Sequence, residues 1–149
     1  MKKLSGLLAV AVLLVSVSFS CKDKVAPFSE RIAKIWVPRI VLENGSTVYS
    51  NGGSSNLKPS YASYRLNLSS PPQATLTEVD GQTYSGTYTL NGESSITISG
   101  ISPEPTGIGG TLEYSINSLS ETSDELIITL SRLYPKTGNT TNKYTLLPQ

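Results

Sequence analysis

Residues 74–92 read ATLTEVDGQTYSGTYTLNG, and two tight turns lie inside them. Asp80-Gly81 and Asn91-Gly92 are dipeptides that readily supply the left-handed backbone of a two-residue hairpin loop. Ala74 to Val79 leads into the first turn, and Tyr84, Gly86, Tyr88 and Leu90 alternate with Ser85, Thr87 and Thr89 on the way to the second. A period of two over such a length marks a strand with one face on a core. The stretch is therefore expected to form consecutive antiparallel strands.

Working outward, the same signal recurs. Tyr64, Leu66 and Leu68 alternate with Ser63, Arg65 and Asn67 until Pro71-Pro72 stops the run. Downstream, Ile96 and Ile98 carry a short strand, Leu112, Tyr114 and Ile116 another, Leu126, Ile128 and Leu130 a third, and Tyr144 and Leu146 the last. Upstream, Val37 to Leu42 is β-branched, with Pro38 expected at an edge or at the strand's start. Asn44-Gly45 then turns the chain towards Tyr49, in a less patterned hairpin whose aromatic is expected to matter less than Trp36. Phe28, Ile32, Ile35 and Trp36 fall at helical spacing, with Ser29 placed to cap, so one or two helical turns should lead into Trp36. Residues 51–56 read as a flexible loop. Eight or nine strands joined mostly by tight turns, with no long helix, predict an all-β antiparallel barrel, the alternative being a β-sandwich.

Composition removes whole classes of chemistry. The chain has 149 residues, no histidine and one cysteine, Cys21. Ser-His-Asp and Cys-His catalysis, imidazole or thiolate metal sites and an internal disulfide cannot be assembled from that inventory. The 12 basic residues balance 11 acidic ones, so no basic surface points to nucleic acid. No enzyme activity and no cofactor are expected. Glu78 and Asp80 are the nearest thing to paired carboxylates, but Asp80 suits the turn, and a hidden acid with a raised pKa would be needed to reopen the question. Glu121, Asp124 and Glu125 cluster without the spacing of a calcium loop and read as a solvated hairpin end.

The first residues read as an address. Met1-Lys2-Lys3 is positively charged, residues 4–17 are mostly apolar, and Ser18-Phe19-Ser20-Cys21 follows. This is the layout of a secretory leader over 1–20, too short for a permanent span. It resembles a bacterial lipobox, with Ser18 and Phe19 where the common form has Leu and a small residue. The resemblance implies acylation of Cys21, a tether over 21–27, a β domain over 28–149 and a lipid-anchored place in the bacterial cell envelope, at the outer membrane, with its face left open.

The stretch Gly86-Thr87-Tyr88-Thr89-Leu90-Asn91-Gly92, reached from Tyr64-Arg65-Leu66-Asn67-Leu68 and followed by Ser95-Ile96-Thr97-Ile98, resembles the central hairpins of small bacterial lipocalin-like lipoproteins. Tyr114 to Leu119 followed by Glu125 to Leu130 resembles them too. The resemblance implies an eight-stranded up-and-down barrel, which can be filled by its own side chains or hold one small ligand. It also places Trp36 where a lipocalin tryptophan closes one barrel end, although Lys34 stands where that family has Gly and the chain lacks a C-terminal helix.

Two functions compete on these grounds. In the first, a lipocalin-like cup binds a small apolar or amphipathic ligand, lined by Trp36, Tyr64, Tyr88 and Tyr114, since tyrosine joins an apolar ring to an orienting hydroxyl. In the second, those aromatics, with Tyr84, are ordinary filling, and the protein is a structural or interaction protein of the envelope. The state of the barrel interior separates the two.

Overall fold

Nine strands account for the alternation: β1 (Ile35–Glu43), β2 (Ser46–Ser50), β3 (Arg65–Ser70), β4 (Gln73–Thr77), β5 (Thr83–Asn91), β6 (Ser95–Ser102), β7 (Leu112–Leu119), β8 (Leu126–Leu130) and β9 (Asn142–Pro148). The computed structural model describes residues 25–105 and 107–149, so the leader read over 1–20 and Cys21 lie outside them. Every pairing is antiparallel between neighbours, and a further ladder from Trp36–Pro148 to Glu43–Asn142 joins β9 back to β1. Closure leaves β2 outside the ring. The fold is an eight-stranded up-and-down barrel plus one strand, not a sandwich.

The inward row of each strand is the apolar row of the sequence. Leu66 and Leu68, Ala74 and Leu76, Tyr84 and Tyr88, Ile96 and Ile98, Leu112 and Tyr114, Leu126 and Ile128, and Tyr144 and Leu146 are all buried. Gly86 is the exception in β5, and the reason is steric. A Cβ there would stand 2.6 Å from the carbonyl oxygen of Ser99, at the bulge where the β5–β6 register shifts. Glycine is needed because β6 comes too close for any side chain.

Pro38 lies inside β1 rather than at its start. On one side β1 pairs with β3 at Ile35 and Trp36 and with β2 only from Ile40, so Pro38 falls in the gap between two partners. On the other side the β9 ladder shifts register between Pro38 and Ile40. A missing amide costs little there, and the proline does sit at a local edge. The outer edge of β2 is covered by its own loop: Asn56 accepts from the Ser50 amide at 2.7 Å and donates to the Ser50 carbonyl at 3.0 Å, while the Lys58 amide bonds the Val48 carbonyl. Residues 51–56 therefore protect a strand edge.

The short helix α1 (Phe28–Ile32) fits the one or two turns expected ahead of Trp36, which itself belongs to β1, but Ser29 sits inside it without capping. The first turn starts from the Pro27 carbonyl, which accepts from the amides of Glu30 and Arg31. From α1 the chain drops Ile32 and Trp36 into one end of the barrel, both fully buried, and the indole Nε1 donates to the Ile32 carbonyl at 2.9 Å. The acidic cluster fastens this helix end. Arg31 pairs with Glu121, Lys34 with Asp124 and Arg39 with Glu125, and the Arg31 guanidinium also bonds the Leu119 carbonyl. Those acids hold the chain's own bases.

Burial differs from expectation at Tyr49, which is buried with its ring centroid 6.3 Å from that of Tyr61. Trp36→Ala is expected to destabilise the protein by about 3 to 5 kcal/mol, as for other truncated buried aromatics. Urea unfolding checks this, and native Trp36 emission should lie well to the blue of free indole.

Candidate functional site

At the helix end the interior is apolar; at the far end it is polar. Strand direction explains the division, because the inward rows continue past the last apolar residue into Glu43 on β1, Glu78 after β4 and Asn142 at the start of β9. All three are buried. A buried polar group must find partners or cost stability. Most of these do. Glu43 accepts from the Tyr61 hydroxyl at 2.7 Å and from Lys58 Nζ at 2.6 Å. Asn142 donates to the Tyr144 hydroxyl at 3.1 Å and accepts from the Thr140 hydroxyl at 2.6 Å.

The expected aromatic lining separates into parts. Trp36 closes the helix end. Tyr88 lies towards that end too, its hydroxyl donating to the Leu68 carbonyl at 3.1 Å. Tyr64 and Tyr114 come together in the far half, hydroxyl to hydroxyl at 3.5 Å. Between their strands stands Tyr144, which β9 delivers and the sequence reading did not single out. Its ring stacks on Tyr64 at 4.9 Å and 16° and meets Tyr114 and Tyr61 edge-on at 6.2 and 6.3 Å. Burial pushes the hydroxyls of Tyr61, Tyr64, Tyr114 and Tyr144 well above the ordinary tyrosine range, with the charge of Glu78 adding to it.

Residues 131–141, linking β8 to β9, run over the far end as a strap. A 3-10 turn (Pro135–Thr137) and one bridge, Tyr134 to Thr140, are its regular structure. Arg132 fastens it to the carbonyls of Ile108 and Thr111. Asn44, in the β1–β2 turn, bonds Thr141 through both its backbone amide and its side chain at 2.9 Å. Two latches reach the β4–β5 hairpin: the Tyr134 hydroxyl donates to Glu78 Oε1, and Lys136 Nζ bonds Asp80 Oδ2 and the Tyr84 hydroxyl. Asp80 is the turn residue its sequence suggested, accepting from the Gln82 amide at 3.0 Å.

Glu78 is the electrostatic anomaly. Its side chain is 1% exposed, and Oε2 has no partner. Burial holds its pKa above the ordinary glutamate value, against the pull of the Tyr134 hydroxyl and the Lys136 ammonium. Its position in phase with Ala74 and Leu76 was the available signal, since an inward row that continues into an acid puts that acid in the core. Two surface depressions, of about 210 and 480 Å³, are lined by Thr111, Glu113, Ser131 and Arg132 and by residues around α1 and Glu121. Neither is lined by Glu78 or by any of the four expected aromatics. Among the described residues no group of three or more acidic or sulfur ligands is placed to hold a metal.

A raised folded pKa means that the native state binds the Glu78 proton more tightly than the unfolded chain does. The stability this gives is complete below the ordinary glutamate value of 4.5 and is lost as pH rises through the folded value. The groups facing Glu78 are Tyr134, Lys136, Asp80 and the hydroxyls of Tyr61, Tyr64, Tyr114 and Tyr144. Glu78→Gln is expected to flatten this fall, so its stability relative to wild type should improve steadily from acid to neutral pH. Denaturant melts across that range measure the difference; a difference moving the other way would mean that Glu78 is stabilised as a carboxylate.

No family model, curated protein or solved structure matches this chain, so the reading of its function rests on the barrel itself.

Proposed function

We propose that the protein is a lipid-anchored, lipocalin-like member of the bacterial envelope that acts as a structural or interaction protein through its outer surface, with a filled barrel, and neither carries a small molecule in its bore nor catalyses a reaction. The observation carrying this reading is the interior. Trp36, Tyr61, Tyr64, Tyr114, Tyr134 and Tyr144 are among the largest fully buried side chains. The rings of Tyr61, Tyr64, Tyr114 and Tyr144 lie against one another, and the indole bonds the backbone. Atoms spent on one another are not free to line a cup. The cup reading, with Trp36, Tyr64, Tyr88 and Tyr114 as lining, therefore takes second place.

The anchor is argued from the sequence: a charged start, an apolar run and one cysteine at its end. A triacylated Cys21 would bury enough methylenes, at roughly 0.8 kcal/mol each, to hold the domain on a membrane without help from the barrel.

Two measurements test the halves separately. Metabolic palmitate labelling should be lost in Cys21→Ala, and equal label in both proteins would remove the anchor. Titration with cis-parinaric acid should leave Trp36 emission without a saturable change. Saturable binding that moves Trp36 emission would restore the cup.

A further inference from the structure

Tyr64 and Glu78 stand opposite each other although neither lies within a strand. The β3–β4 ladder pairs Asn67 with Thr75, Leu66 with Leu76 and Arg65 with Thr77. One more step in that register sets Tyr64 across from Glu78, on the inward row that Leu66 and Leu76 begin. Both side chains are buried. The Tyr64 hydroxyl lies 3.5 Å from that of Tyr114, which is buried too, and the charge of a Glu78 carboxylate reaches both phenols.

These three groups are short of partners. Glu78 Oε1 accepts from the Tyr134 hydroxyl, but Oε2 has no hydrogen-bond partner, and the neighbouring Val79 amide, which acts on the carboxyl group, does not supply one. Each phenol has an O–H to donate and lone pairs to accept with. Among the described residues the two have only one another, at a length well beyond the usual value of about 2.7 to 2.8 Å between oxygens. Three buried oxygens therefore share one long contact. Where protein atoms do not satisfy such a set, an ordered water does.

Water also fits the count. An internal water makes about three hydrogen bonds, and three oxygens converge here. A divalent metal ion is a poorer match because it takes six or more oxygens. Burial, by favouring the protonated form of Glu78, weakens the charge that would draw any cation.

We propose that Glu78 Oε2 and the hydroxyls of Tyr64 and Tyr114 hold a single internal water, which completes the filling of the bore. Protonated Glu78 donates to the water through Oε2, one phenol donates to it as well, and the water donates to the other phenol; Oε1 stays with Tyr134. The water joins the β4–β5 hairpin to β7 and to the chain entering β3, and through Tyr134 it ties the strap to the core. It is part of the filling rather than cargo, and it depends neither on the anchor nor on the envelope role.

Oxygen-17 relaxation dispersion of the solvent, measured on the full-length protein in non-ionic detergent, counts waters held for longer than the protein takes to tumble. Glu78→Leu keeps an inward side chain without its oxygens, so the variant should hold one fewer such water per chain than wild type. Glu78→Gln, whose amide still donates and accepts, should hold the same number. An unchanged count in a folded Glu78→Leu overturns the proposal. Should that variant fail to fold, a wild-type crystal structure that resolves ordered water decides: a density peak is expected within hydrogen-bond distance of Glu78 Oε2 and of at least one of the two phenols. No peak there overturns the proposal, and so does a peak that gains electrons when rubidium replaces the sodium and potassium of the crystal, which would mark a cation site instead.

Discussion

An eight-stranded barrel has a bore just wide enough for its own side chains, and Tyr144 is the residue that uses this width most fully. One face of its ring is stacked on Tyr64, its edges meet Tyr61 and Tyr114, and its hydroxyl is bonded by Asn142. The chain entering β3 at Tyr64 and strands β7 and β9, no two of which are adjacent in the sheet, are tied through this one ring. Aromatic pairs of this kind contribute about 0.5 to 1.5 kcal/mol each beyond the area they bury. The polar far end depends on the same residue, because Asn142 links Tyr144 to the hydroxyls of the strap.

The division between the two ends follows from what each must close over. At the helix end, Ile32 and Trp36 fill the opening with apolar volume, and the three ion pairs hold the backbone over it from outside. At the far end a strap of irregular chain passes over the core, and such chain brings carbonyls and amides that need partners. The Thr137 hydroxyl donates to the Tyr134 carbonyl and Asn44 accepts from the Thr141 amide, while the side chains of Thr137, Thr140 and Asn142, and of Glu43 with Tyr61 and Lys58, bond one another. Leaving Glu78 Oε2 unpartnered is the one place among the described side chains where the accounting fails.

Much of the architecture was legible in residues because strand alternation and hairpin dipeptides are local signals. Asp80-Gly81, Asn91-Gly92 and Asn44-Gly45 turn where they were expected to turn, and Trp36 lies at a barrel end. The site was less legible. Tyr64 and Tyr114 were picked out singly, but what joins them is Tyr144, whose role depends on which strands become neighbours after closure. Glu43, Glu78 and Asn142 were readable as inward positions of their strands but look like turn and surface residues by type. Lys136 gave no signal at all, since its partners lie across the barrel on another hairpin.

The ladder between β1 and β9 pairs Trp36 with Pro148 and Glu43 with Asn142, so the first strand is completed by the last. Nothing that forms earlier can substitute for it: until residues 142–148 are in place, β1 and β8 each present an open edge. Closure is thus the least local event in the chain, and topologies of this kind belong to the slow, cooperative end of folding. A partly synthesised chain can hold hairpins but no closed barrel until its final strand arrives.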